Sequence, residues 1–147
     1  MPRNVRWSHW PSRLVVGAYI LNSGLAKRQA DTQTATQLHG MASKTYPFLG
    51  KLTPETFTRL LSAGEIALGA TLLLPIVPSV LAGAGLTAFA SGLLGLYLRT
   101  PGMREEGSLR PTQAGTALAK DAWMLGMGLS LVLDDLMSRR RQRGDTE

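Results

Sequence analysis

The stretch IALGATLLLPIVPSVLAGAGLTAFASGLLGLYL, residues 66–98, carries no charged side chain over 33 positions. One helix crosses the ~30 Å hydrocarbon core of a bilayer with about 20 apolar residues, so the run is too long for a single crossing. Its middle, Pro75-Ile76-Val77-Pro78-Ser79, interrupts helix and favours a tight turn, because proline has no amide hydrogen and clashes with the preceding turn. The run therefore reads as a hairpin of two transmembrane helices. The first ends near Leu74 and the second runs from about Val80 to Leu98. Two core helices of a water-soluble domain are the rival reading. The second arm lacks the polar face that such helices carry, which favours lipid.

Upstream, Thr53-Pro54-Glu55 has the signature of a helix start: a hydroxyl cap, proline at the first helical position and an acid in the first turn. The helix should run from Pro54 to about Leu74. Further upstream, LVVGAYILNSGLA, residues 14–26, predicts a first span. At 1.5 Å per residue it reaches only about 20 Å, so Arg13 and Lys27 are expected to snorkel outward from its ends. A signal peptide is the rival, although Asn22-Ser23-Gly24-Leu25-Ala26 makes a mediocre cleavage site. Residues 27–51 are polar. They predict a short amphipathic helix over about Thr32 to Ala42 and an interfacial turn at Tyr46-Pro47-Phe48-Leu49-Gly50. Downstream, residues 99–119 form a charged loop with Pro-Gly and Arg-Pro breakers. Lys120 and Asp121 then open a last apolar helix, AWMLGMGLSLVL, which is expected to end at Asp134-Asp135.

The fold class that follows is all-α, a four-helix transmembrane bundle. Its parts are a basic N-terminus at 1–13, a membrane domain at 14–136 and a basic tail at 137–147. Mean hydropathy is only +0.03, because the polar loops and charged ends dilute the apolar spans. Net charge is +6. Arg3, Arg6 and Arg13, with Trp7 and Trp10, mark an interface at one end; Arg139, Arg140, Arg141 and Arg143 mark it at the other. Seven of the 16 lysines and arginines fall in these two short ends. The positive-inside rule then places both termini in the cytoplasm of a multi-pass cell-membrane protein, with the long loops outside. The partners this implies are the lipid bilayer and other membrane proteins. Nucleic acid is not among them, because the basic residues sit where they meet headgroups.

The chain has no cysteine, which excludes disulfides, iron–sulfur clusters and zinc-thiolate sites. His9 and His39 lie in polar stretches, so a bis-histidine haem is not expected, and His39 reads as a surface residue. Met124 and Met127 read as packing, without further soft ligands for copper. No metal site and no cofactor motif is evident. Glu65 is the most informative residue. A carboxylate at membrane depth must pair, accept a proton or face the bundle interior. Lys27, Lys120 and Asp121 should lie at the same outer end of the bundle, so Lys27, Glu65, Lys120 and Asp121 form a candidate intramembrane charge cluster. Such a cluster serves either as an ion-pair clamp or as a proton or quinone-headgroup site. Arg104, Glu105, Glu106 and Arg110 are candidate external loop contacts. Small residues at Ala84, Ala88 and Gly92 offer a close-approach stripe on the second hairpin arm.

Several stretches resemble the DoxX family of small bacterial membrane proteins, in its actinobacterial form. They are Arg13-Leu14-Val15-Val16-Gly17 with Asn22-Ser23-Gly24-Leu25-Ala26-Lys27, then Gly64-Glu65-Ile66-Ala67-Leu68-Gly69, and the segments LHGMASKTYPFLG, YLRTPGMREEGSLRPT and AKDAWMLG. The resemblance implies a four-helix membrane protein and an association with redox partners. The function it implies is an accessory subunit of a membrane-associated oxidoreductase complex. The alternatives are a quinone- or thiosulfate-linked oxidoreductase subunit, and a small transporter or lipid-handling protein using Glu65.

Overall fold

A computed structural model describes residues 6–144, and Arg3 lies outside them. Among the described residues the chain is all-helical, with one isolated antiparallel bridge, Arg104 to Pro111, and no strand. After a 3-10 turn at Trp7–His9 come α1 (Trp10–Arg28), α2 (Thr32–Thr45), a 3-10 turn at Pro47–Lys51 and α3 (Pro54–Leu73). Then follow α4 (Ser79–Arg99), α5 (Thr116–Ala119) and α6 (Ala122–Gly144).

The local reasons are the ones the residues announce. Thr53 caps α3, its side chain accepting from the Thr56 amide, and Pro54 takes the first turn. Asp31 caps α2 in the same way through the Thr34 amide. The prolines at 75 and 78 separate α3 from α4, so the expected break between two helices falls within a residue or two of its expected limits.

Among the described residues, two helical stretches are long and apolar enough to cross a membrane by length and composition: Ser79–Arg99 and Thr116–Gln142. α1 has 19 residues and α3 has 20, but both carry charge inside their length. The helices associate as two intimate pairs, α1 along α3 and α4 along α6, with α2 laid against α3. Glycines set the spacing in both pairs. A methyl group added at Gly69 would stand 2.7 Å from the Leu21 backbone nitrogen, and one at Gly128 would stand 2.8 Å from that of Thr87. Val16, Ile20, Leu72, Leu86 and Leu131 join the pairs in one apolar core.

Four expectations need correction. Arg13 does not snorkel; it is fully buried. Helix begins at Trp10, so the boundary at 13 falls inside α1. α6 does not stop at Asp134-Asp135 but continues to Gly144, because Asp135 is neutralised by Arg139 one turn later, at 2.8 Å. The close approach of α4 runs through Gly83, where an added methyl would meet the Gly128 carbonyl oxygen at 2.8 Å, while Ala84 and Ala88 are exposed.

Candidate functional site

At the end of the helices where α1 runs into α2, a cavity of about 530 Å³ opens between them. Its walls are mostly apolar: Leu38 and Met41 of α2, Phe89 and Leu93 of α4, and Met124 of α6 stand around it. Tyr46, just after α2, closes one side, its hydroxyl donating to the Gly92 carbonyl at 2.8 Å.

The cavity's polar wall comes from α1 and α3. Glu65 is 4% exposed. Lys27 Nζ donates to its Oε2 at 3.0 Å and to Ser23 Oγ at 2.7 Å. Ser23 and Lys27 share one face of α1 because they are four residues apart. Gly24 makes room for the carboxylate's stem: an added methyl there would lie 2.9 Å from the Glu65 Cβ. Ser62, one turn before Glu65, donates to the Gly24 carbonyl at 2.7 Å and fixes the register of the two helices.

Asp121, in the junction between α5 and α6, lines the same cavity and is half-buried. Among the described residues no side chain forms a hydrogen bond or ion pair with its carboxylate. Lys120 is exposed and stands outside the cavity wall. The structure thus gathers Lys27, Glu65 and Asp121 around one space and leaves Lys120 out.

The opposite end holds a second polar arrangement that the sequence reading missed. Arg13 donates from Nη2 to the carbonyls of Thr71 and Leu74 at 3.0 and 2.9 Å. Its Nε donates to Leu72 at 2.8 Å and its Nη1 to Val77 at 3.0 Å. Thr71 and Leu74 are the residues whose carbonyls would pair, in a continuous helix, with the amides of residues 75 and 78. Both of those are prolines and have no amide hydrogen. The guanidinium supplies the missing donors, and the negative end of the α3 dipole favours its charge. Trp10 covers it, with the guanidinium carbon 5.8 Å from the ring centre.

Arg13 Nη1 also reaches Ser79 Oγ at 3.3 Å. From there a chain of contacts continues through His9 Nδ1 at 3.0 Å, and from His9 Nε2 to Asp134 at 2.8 Å, where Arg6 also binds. Serine, histidine and aspartate stand in the order of a nucleophilic triad. Ser79 has no exposed surface, so a substrate carbonyl has no approach to it, and the chain of bonds ties α1, α4 and α6 together instead. The signal in the sequence was the conjunction of a proline-broken hairpin with an arginine at the start of a neighbouring apolar helix.

The charged loop after α4 is organised by its own backbone. Glu105 and Arg110 pair through the Glu105 amide at 2.9 Å, and the Met103 carbonyl accepts from Thr112 at 3.0 Å. Arg104 serves the fold, donating to the Leu98 carbonyl at the end of α4 at 2.9 Å. Glu105, Glu106 and Arg110 are exposed. His39 is half-buried, bonds the Leu49 carbonyl at 2.9 Å and tilts against Phe57. Among the described residues no group of three or more metal-ligating side chains converges.

No family model, no curated protein and no solved structure matches this chain.

Proposed function

We propose that the chain is a multi-pass protein of the cell membrane, a four-helix bundle in which α1, α3, α4 and α6 all cross, with both termini cytoplasmic. We further propose that it serves as a DoxX-like accessory subunit of a membrane-associated oxidoreductase complex. The observation that carries the membrane reading is inverted burial. The residues of α3 hidden in the bundle include Thr58, Ser62, Glu65 and Gly69, and α1 hides Arg13. Outside stand Leu14, Val15, Leu60, Leu81, Leu129 and Leu133, all between 43 and 69% exposed. Water would reverse that arrangement; hydrocarbon requires polar groups to be satisfied inside.

The accessory role draws on the resemblance and on the Lys27–Glu65 pair, which acts as a clamp between α1 and α3. The cavity favours a second reading, in which the chain handles a ligand itself. On that reading it is a quinone- or thiosulfate-linked subunit, or a small transporter or lipid-handling protein using Glu65.

Glu65→Gln keeps the shape and removes the charge. The accessory reading expects the variant to fall in abundance and the complex to dissociate, measured by co-purification. Undiminished abundance with lost redox activity of the membranes would replace it with the second reading. The membrane reading ends if the purified chain stays monodisperse in detergent-free buffer.

A further inference from the structure

The cavity between the helix pairs has an imbalance of charge. Among the described residues its lining holds three charged side chains, Lys27, Glu65 and Asp121. Lys27 is committed to Glu65 and Ser23. Asp121 has no ion-pair partner among the described residues. Two carboxylates therefore face one ammonium in a space otherwise walled by carbon and a few hydroxyl and backbone groups. Lys120, the next residue in sequence, lies outside the wall.

An unbalanced carboxylate in a poorly solvated space is stabilised by a cation, and the attraction grows as the local dielectric falls. The rest of the wall selects for an apolar body. Phe57, Leu61, Phe89, Leu93 and Leu96 offer aromatic and branched surfaces, and a volume of about 530 Å³ lies within the range of small-molecule sites. Phe57 and Phe89 add ring faces that attract positive charge.

We infer that this cavity binds lipophilic cations: molecules with an apolar body and a positively charged head that pairs with Asp121, beside the Lys27–Glu65 clamp. Anionic amphipaths are excluded by the same imbalance. The inference rests on the reading of the bundle as membrane-embedded, and it goes beyond that reading by naming the charge and class of the ligand.

Two probes of the same shape and opposite charge test it: tetraphenylphosphonium and tetraphenylborate. With the full chain in dodecyl maltoside, the cation should bind saturably and about tenfold or more tighter than the anion. Asp121→Asn should remove that preference. Leu93→Trp, which fills the space, should weaken both probes and so locate the binding. The unmodified chain gives an independent readout. Acidification neutralises the carboxylate of Asp121, so affinity for the cation should fall as pH is lowered, while affinity for the anion should not.

Equal or tighter binding of tetraphenylborate, no saturable binding of either probe, or full cation preference in Asp121→Asn each overturns the inference. Flotation of the same preparation with liposomes separates this result from the membrane reading. A chain that floats yet fails the probe test refutes the cation site alone. A chain that stays off the vesicles refutes the membrane reading, and the probes then decide the site in detergent-free buffer.

Discussion

The two helix pairs solve the same packing problem with opposite chemistry. α4 and α6 meet through small and apolar residues: Gly83 and Gly128 bring the backbones together, and Leu86 and Leu131 fill the core beside them. α1 and α3 meet through glycines as well, but their contact also buries Arg13, Ser62 and Glu65. Only the first pair has the length and apolar composition of membrane spans taken one helix at a time. The second pair is intelligible only as a pair. Arg13 answers carbonyls on α3, Lys27 answers Glu65, and Ser62 answers the Gly24 carbonyl. On the proposed four-span reading, hydropathy counted along one helix misses polarity that is cancelled across two.

If that contrast holds, the largest effect should come from Arg13→Ala. It leaves the carbonyls of Thr71, Leu72, Leu74 and Val77 without these donors. A loss of roughly 3–5 kcal/mol is expected, read as failure to accumulate or as early thermal unfolding in detergent. Arg13→Lys keeps the charge but offers a single ammonium and should fall between. Wild-type stability of Arg13→Ala would mean that the proline-broken carbonyls find other donors.

Next in size are the glycine seams. Gly69→Ala and Gly128→Ala each force a methyl into contact with the partner backbone, at a cost of about 1–3 kcal/mol. Similar losses in the two variants would show that close approach is common to both pairs. A loss confined to Gly128→Ala would show that the polar pair is held by its hydrogen bonds and tolerates separation.

A smaller term is expected from the Lys27–Glu65 pair. A double-mutant cycle with Lys27→Met and Glu65→Gln should give a coupling of about 1 kcal/mol, since polar pairs in membrane bundles are modest in strength. Zero coupling would remove the clamp from the comparison and leave Arg13 as the main polar tie.

The smallest effect lies outside both pairs. The Thr34 backbone amide, and then its side chain, hold the Asp31 carboxyl below the ordinary carboxylate range. A lowered folded-state value means that the cap stabilises above the unfolded pKa of about 3.9 and loses its contribution as pH falls through the folded value. Asp31→Ala should lower stability slightly at neutral pH and make no difference in strong acid. The comparison of melting curves at the two pH values checks it.

The helix limits were largely written in local signals. Thr53-Pro54-Glu55 started α3, the prolines at 75 and 78 split the uncharged run, and the polar spacing after Lys27 gave α2. What local signals did not contain was rotation about the helix axes. Whether Arg13 pointed to water or into the bundle depended on the phase of α1 against α3, which the glycine contacts set across more than 40 residues of chain. The same holds for Lys120 and Asp121. They are neighbours in sequence, yet one step along the α5–α6 junction puts the acid in the cavity wall and the lysine outside it. His9 lies in a polar stretch of sequence that gives no hint of its role, because its partners, Ser79 and Asp134, lie 70 and 125 residues away.

If the bundle sits in a bilayer as proposed, the unbroken course of α6 past its acidic pair bears on how it is moored. At 23 residues the helix is about 34 Å long at 1.5 Å per residue, longer than a hydrocarbon core of ~30 Å. Arg139, Arg140 and Arg141 therefore ride on a stiff rod and not on a floppy tether, spaced about 100° apart around its circumference. Like pegs on a capstan they project in different directions at nearly one depth. In the bilayer proposed above, lipid phosphates on several sides would grip them together, which would resist tilting of the rod as well as its withdrawal.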